Sequence, residues 1–276
     1  MHGNADHTAD VQQRFRQPYS MTRATARILL WLAPFVCTAT LLILLWHYAS
    51  TKLNPIFFPS PVKVLNSAQE LVQGGVLFQH VWVSLRRILA GFLIGTAIGI
   101  PIGLLMGTYP FARRFFTPYV GFLRFVPPIA MIIYAIVWFG SGEGSKIFLV
   151  AFSTVFIVIL NVEAGVRTIA PNRIRAALCL GAQPVQLFVY VLLPSAIPFV
   201  LTGMRIAMGA AFAVIVAAEL LSSEEGIGFL LENSRLFLKT DRIFVAIVAL
   251  GIMGFFTDRC FRLLIHWFGG EYVRRS

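Results

Sequence analysis

Acidic side chains are scarce in this sequence. Asp and Glu together number 12 in 276 residues, and the five histidines, His2, His7, His47, His80 and His266, are scattered. No cluster of acids and histidines has metal-ligand spacing, so no metal site is expected. Neither an HExxH pair nor a G-x-S-x-G elbow occurs, which leaves the chain without visible machinery for hydrolytic chemistry. Cysteine is almost absent. Cys37, Cys179 and Cys260 lack the pair spacing of a disulfide framework or a zinc knuckle and read as small apolar side chains. The stretch FGSGEGSKI, residues 139–147, comes close to a phosphate loop, but Ser145 rather than glycine precedes Lys146 and Ile147 follows it. Backbone amides and ammonium therefore cannot converge on a phosphate in the usual way, and the stretch reads as a flexible outer turn. Charge of either sign is thin, at 13% of residues, where soluble domains carry about a quarter.

What the sequence has instead is apolar length. Hydrophobic residues make up 58% of it, with 25 phenylalanines. Windows of roughly 20 apolar residues are long enough to cross a bilayer as helices. Six such windows are expected, at about 28–48, 85–109, 116–140, 147–166, 194–220 and 243–266. The expected class is an all-α integral membrane protein of six transmembrane helices. A basic tail at 1–27 precedes a single membrane domain at 28–268, and a short tail at 269–276 follows it. The first apolar run is too long for the h-region of a signal peptide and lacks a small-x-small cleavage site, so it reads as a retained span.

The net charge of +11 points to topology rather than to nucleic acid, because the basic residues are spread among the loops. Placing the N-terminus inside puts Arg14, Arg16, Arg23, Arg27, Arg113, Arg114, Arg167, Arg173, Arg175, Arg259, Arg262, Arg274 and Arg275 on the inner side. Lys52, Lys63, Arg86, Arg87, Lys146, Arg235, Lys239 and Arg242 fall outside. The excess favours both termini in the cytoplasm.

Three local patterns carry more than hydropathy. Gly91, Gly95, Gly99, Gly103 and Gly107 recur every four residues in the second window, a stripe without side chains against which another backbone can pack closely; Pro101 inside the same window is expected to bend it. Arg124 lies inside the third window just before Pro127–Pro128, and Arg205 and Glu219 lie inside the fifth. Ionisable groups at membrane depth face protein or a water-filled path, so these three are candidates either for a translocation route or for helix-to-helix pairing. The third pattern is RAALCLGAQPVQLFVYVLLP, residues 175–194. Asn172 is expected to cap a short helix from about 173 to 180, Gly181 to end it in the left-handed region, and Pro184 to start the next helical stretch. The whole device covers about 172–183 and falls on the inner side, a shape suited to docking in a cleft of a soluble partner.

Ala176–Ala177, three residues, Gly181, nine residues, then Val191-x-x-Pro194 resembles the EAA signature of binding-protein-dependent ABC importer permeases, with Leu193 in the leucine place. Arg175 stands where that signature has glutamate. The stretches beginning FLRFVPPIAMIIY, NRIRAALCLGA and LTGMRIAMGAA are similar to the nitrate/sulfonate/taurine family of these permeases, and RIRAA with LTGMRI is most similar to its taurine branch; MIIY at 131–134 departs from that family's usual Trp-x-Pro-Leu.

The resemblance implies a MetI-like type I importer fold in the bacterial inner membrane. It also implies a homodimer of this chain, two cytoplasmic ATPase subunits that alone bind ATP and magnesium, and an extracytoplasmic solute-binding protein. This chain would bind no cofactor and hydrolyse nothing. By the resemblance, Arg175, Ala176, Ala177, Gly181, Ala182 and Pro194 form the ATPase-coupling segment, and Arg124, Met131, Tyr134, Arg205, Met208, Phe212 and Glu219 are candidates for the path. The solute implied is a small anion or zwitterion such as taurine or another sulfonate, with nitrate, bicarbonate or another small organic compound as the alternative within the same architecture. An integral-membrane enzyme, the rival class, would need an acid/base or nucleophile cluster at one interface.

Overall fold

The computed structural model describes the backbone of residues 21–273 and the side chains of residue 34 and residues 36–263. The predicted tails at 1–27 and 269–276 therefore lie largely outside the described residues. Every described element is helical: α1 Met21–Lys52, α2 Pro61–Gln73, α3 Val76–Thr108, α4 Pro110–Leu123, α5 Ile132–Phe139, α6 Glu143–Arg167, α7 Pro171–Cys179, α8 Pro184–Ser222, α9 Ile227–Leu236 and α10 Thr240–Val273. Among the described residues, four stretches are long and apolar enough to cross a membrane: α3, α6, α8 and the Thr240–Leu263 part of α10. The chain forms two compact units, Met1–Pro61 and Val62–Ser276. The first holds α1 and a proline-rich turn in which the Trp46 indole donates to the Pro59 carbonyl at 3.0 Å.

Breaks between helices sit where backbone chemistry demands them. Gly75 adopts φ 71° between α2 and α3. Tyr109 is extended (φ −108°, ψ 119°) because Pro110 follows, and the proline then opens α4, where its missing N–H costs nothing. The expected span at 116–140 is not one helix. Pro127 and Pro128 withhold two donors, and turns replace the helix from Arg124 to Met131. Met131 closes this break and Ile132 starts α5. Other boundaries move outward from the hydropathy windows because apolar content fades before hydrogen bonding does: α3 begins at Val76 rather than near 85 and runs through Pro101, and α8 begins at Pro184. Within α8, Phe188–Leu192 is a π-turn that takes up one extra residue before the long helical run from Leu193.

The centre of the second unit is α6. One of its faces meets the glycine stripe of α3. A Cβ added at Gly91 would stand 2.5 Å from Val150 Cβ and 2.7 Å from the Ile147 carbonyl, at Gly95 2.7 Å from Thr154 Cβ, and at Gly103 2.7 Å from Val162 Cβ. A Cβ at Gly99 would stand 2.9 Å from the Val155 carbonyl, and one at Gly107 2.5 Å from Val166 Cβ. The stripe therefore packs α3 on α6 within one chain. On another face, Gly165 and Gly203 let α8 close on α6 against Phe199 and Asn161. The resulting core joins Ile88 and Phe92 with Val150, Val158 and Val162, and with Ala207, Ala211 and Ile215. Away from the stripe, Leu93, Ile94 and Ile98 of α3 are exposed, as suits a surface solvated by lipid. α2 lies against the start of α10, where the Ser67 hydroxyl donates to Asp241.

Candidate functional site

α7 is the most self-contained feature of the fold. None of its nine residues is buried, although it sits between two membrane-length helices; Ile174 alone leans on the core. Its N-cap is Ala170, with Pro171 in the first turn. The expectation that Asn172 caps the helix is corrected, since the proline at N1 moves the boundary two residues earlier. At the other end the Ala182 N–H donates to the Ala177 carbonyl at 3.1 Å and the Gly181 N–H to the Leu178 carbonyl at 3.0 Å. These two bonds are a Schellman motif, and Gly181 takes the left-handed conformation the motif requires, with φ 79°. The Gln183 N–H then bonds the Gln186 side chain at 2.9 Å, closing a capping box at the start of α8. The result is a rigid elbow with a protruding helix. Arg175 and Ala176 are exposed on it, and Ala177 and Ala182 are partly covered. Pro194 falls just past the π-turn, at the base of the long run of α8.

A polar network occupies the opposite end of the bundle. The Glu219 carboxylate is fully buried and accepts from Arg87 Nη1 at 2.8 Å, from the Ser84 hydroxyl at 2.8 and 2.9 Å, and from the Gly228 N–H at 3.0 Å. Arg87, itself buried, also donates from Nε to Glu143 at 3.0 Å and from Nη1 to the Glu225 carbonyl at 2.8 Å. His80 Nδ1 accepts the Gly226 N–H at 3.1 Å. A Cβ on Gly226 would lie 2.3 Å from the Glu219 carboxyl carbon, so the loop before α9 can wrap this carboxylate only as glycine. Four elements are thereby joined: α3, α6, α8 and α9. Paired in this way, Glu219 ties helices together, one of the two roles open to an ionisable group at this depth. Arg87, read above as an outer loop charge, belongs inside α3. Lys146, placed above in a flexible turn, is buried and donates to the Ser141 and Gly142 carbonyls at 2.7 and 3.1 Å. The turn is an ordered cap, and its ammonium is engaged by its own loop. The sequence shows Arg87 and Glu219 132 positions apart with nothing to link them.

The remaining path candidates are not gathered in one place. Arg205, Met208 and Phe212 line a groove of about 600 Å³ between α8 and α10. There Arg205 forms a two-pronged ion pair with Asp258, at 2.7 and 3.3 Å, and Asp258 also accepts from Arg262. Tyr134 is exposed on α5, with its ring 6.0 Å from that of Trp138, and Met131 is partly covered at the break. Arg124 is exposed at the C-terminus of α4, its guanidinium 4.6 Å from the Phe125 ring centroid. Among the described residues no three His, Cys, Asp or Glu side chains converge as metal ligands.

Comparison with known proteins agrees with this arrangement. The chain is 39% identical over 212 residues to a probable ABC transporter permease protein of Brucella melitensis, covering 77% of this chain and 86% of that one. It is 37% identical over 232 residues to the taurine transport system permease protein of Escherichia coli, covering 82% and 84%. Among solved structures it superposes on a chain of the inward-facing MetNI methionine ABC transporter with a TM-score of 0.56 at 21% identity, over 67% of this chain and 94% of that one, which shows the fold alone. Residues 99–269, more than half of the sequence and including α7 with its Schellman turn, match the binding-protein-dependent transport system inner membrane components. The chain belongs to that family and is a permease subunit of an ABC importer, in which ATP hydrolysis is the work of a partner ATPase.

Proposed function

We propose that this chain works as a homodimer that imports a small sulfonate, taurine being the leading candidate. In this reading two copies of α7 dock in two cytoplasmic ATPase subunits, and a binding protein delivers the solute to the opposite end. The observation that carries the reading is α7 itself. A nine-residue helix with no buried residue, fixed by a Schellman turn and leading through a π-turn into a membrane-length helix, is shaped to receive a push from outside the chain. Closure of the ATPases on ATP would draw the two elbows together and tilt α6 and α8, which flank α7 directly in sequence. The groove holding Met208 and Phe212 is the stretch of α8 proposed to border the route when two copies face each other, with Met131 and Tyr134 contributed from the break between α4 and α5. Both termini and α7 lie in the cytoplasm in this arrangement, and α1 adds a sixth span.

The solute assignment draws on the similarity to the Escherichia coli taurine permease protein and is tested in reconstituted vesicles. The complex, assembled with the ATPase and binding protein of its own transport system, should accumulate labelled taurine only when ATP is present on the α7 side. Unlabelled ethanesulfonate should compete more strongly than bicarbonate or nitrate. Uptake without ATP, or competition by bicarbonate alone, contradicts the proposal.

A further inference from the structure

At the α7 end of the bundle, between α4 and α6, lies a cavity of about 300 Å³ that the reading above leaves unused. Arg113 and Thr117 reach it from successive turns of α4 and Arg124 from the C-cap of that helix, and Glu163 and Arg167 from the last turns of α6. Val120, buried, provides an apolar wall. Gly121 adds room, since a Cβ at that position would meet nothing within 4 Å. The charges do not balance. Glu163 is the one carboxylate lining the cavity, and its contact with Arg167 is loose, at 3.7 Å. Arg113 and Arg124 have no carboxylate within ion-pair distance among the described residues. The guanidinium groups of Arg113, Arg124 and Arg167 are all exposed, so water solvates them in the cavity and their donors remain open to an anion that enters it. Their planar forks suit a group with two or three oxygens, such as a sulfonate, carboxylate or phosphate.

We propose that the Arg113–Arg124–Arg167 cavity is an oxyanion-binding site at the inner end of the chain. The oxyanion is either that of a small sulfonate on its way out or that of an anionic lipid headgroup. The word "inner" and the sulfonate source rest on the function proposed above; the oxyanion chemistry follows from the lining residues.

The test uses the full chain purified in detergent. Thermal unfolding followed by tryptophan fluorescence is titrated with sodium ethanesulfonate against sodium chloride at equal ionic strength, while native mass spectrometry compares retention of phosphatidylglycerol with that of phosphatidylcholine. Stabilisation specific to ethanesulfonate identifies a soluble anion, and selective retention of phosphatidylglycerol identifies a lipid phosphate. In either case the double variant Arg113→Gln/Arg124→Gln should weaken the effect by about tenfold or more, the scale expected for losing charge-assisted hydrogen bonds. Arg113→Lys/Arg124→Lys, which keeps the charge but not the planar forks, should retain an intermediate effect, and an unchanged thermal midpoint of the Gln variant without added anion shows that its loss is not misfolding. The proposal is overturned if neither probe acts on the unaltered chain, or if the Gln double variant responds as the unaltered chain does. Co-purification of the ATPase from the same preparations reports on the permease reading independently.

Discussion

Glu219 is the fully buried carboxylate of the polar network, and its environment sets a sharp expectation. Its side chain is wholly buried, as is that of Arg87 but for 4%, so water screens neither. Removing Arg87 strands Glu219, and removing Glu219 leaves Arg87 only its half-exposed partner Glu143, at a cost of up to about 3–5 kcal/mol. Glu219→Ala should therefore lower the thermal midpoint of the purified chain sharply, whereas Arg87→Met together with Glu219→Leu, which removes both charges, should recover part of the loss. An unchanged midpoint in the single variant would show that the network does not hold the helices. Glycines give a second expectation, with sign set by surroundings. Gly91→Ala drives a methyl group into Val150 and the Ile147 carbonyl, and overpacking of this kind costs roughly 1–3 kcal/mol. Gly251→Ala on α10 meets nothing within 4 Å and removes backbone freedom from a helix interior, for a gain of roughly 0.5–1 kcal/mol. Unfolding of the two variants in parallel checks both signs, and destabilisation of equal size would refute the packing argument.

At the level of single elements, α7 and its turn carry the clearest prediction. The space around Gly181 is open, so a side chain there is penalised only by the backbone, at about 1–2 kcal/mol for a left-handed residue. Gly181→Val should thus leave the long helices folded but misdirect α7, giving a chain that inserts and binds its ATPase poorly, while Gly181→Asn, tolerated in this conformation, should keep most of the binding. Normal ATPase recovery with the valine variant would remove α7 from its proposed role. This element was legible in advance because its punctuation is local: two alanines, a glycine and a proline at fixed spacing act on neighbouring backbone. The helix start at Pro171 was misjudged by two residues because Asn172 and Pro171 compete for the same turn. Similarly, Pro127–Pro128 announced a disturbance, yet hydropathy kept counting apolar residues through it and gave one window where α4 and α5 are separate helices. The Arg87–Glu219 pair illustrates the opposite limit. Its members come from helices far apart in sequence that meet only in the tertiary fold, so no periodicity in either segment could disclose it.

For the molecule as a whole, orientation is the property that most needs measurement. The network of Arg87, Glu143 and Glu219 lies at the end of the bundle opposite α7, and removing buried Arg87 and Lys146 from the tally of outer loop charges sharpens the basic excess on the α7 side. A reporter fused after Ser276 should accordingly be read in the cytoplasm, and one inserted near Gly142 outside it; the reverse pattern would place α7 out of reach of ATP. Hydropathy made the helical class legible, while the pairing of α3 with α6 required the glycine register to find its partner. That pairing has a mechanical consequence. α3 is about 50 Å long at 1.5 Å per residue, and it is seated on α6 at five successive levels from Gly91 to Gly107. Two rods fixed together along their length resist bending far more than two rods free to slide. Side chains as stiff as Val150, Val158 and Val162, pressed against bare backbone, prevent the sliding. The pair behaves as one laminated beam: a displacement applied beside Arg167 arrives near Glu143 as rotation of the whole beam, with little lost to curvature along the way.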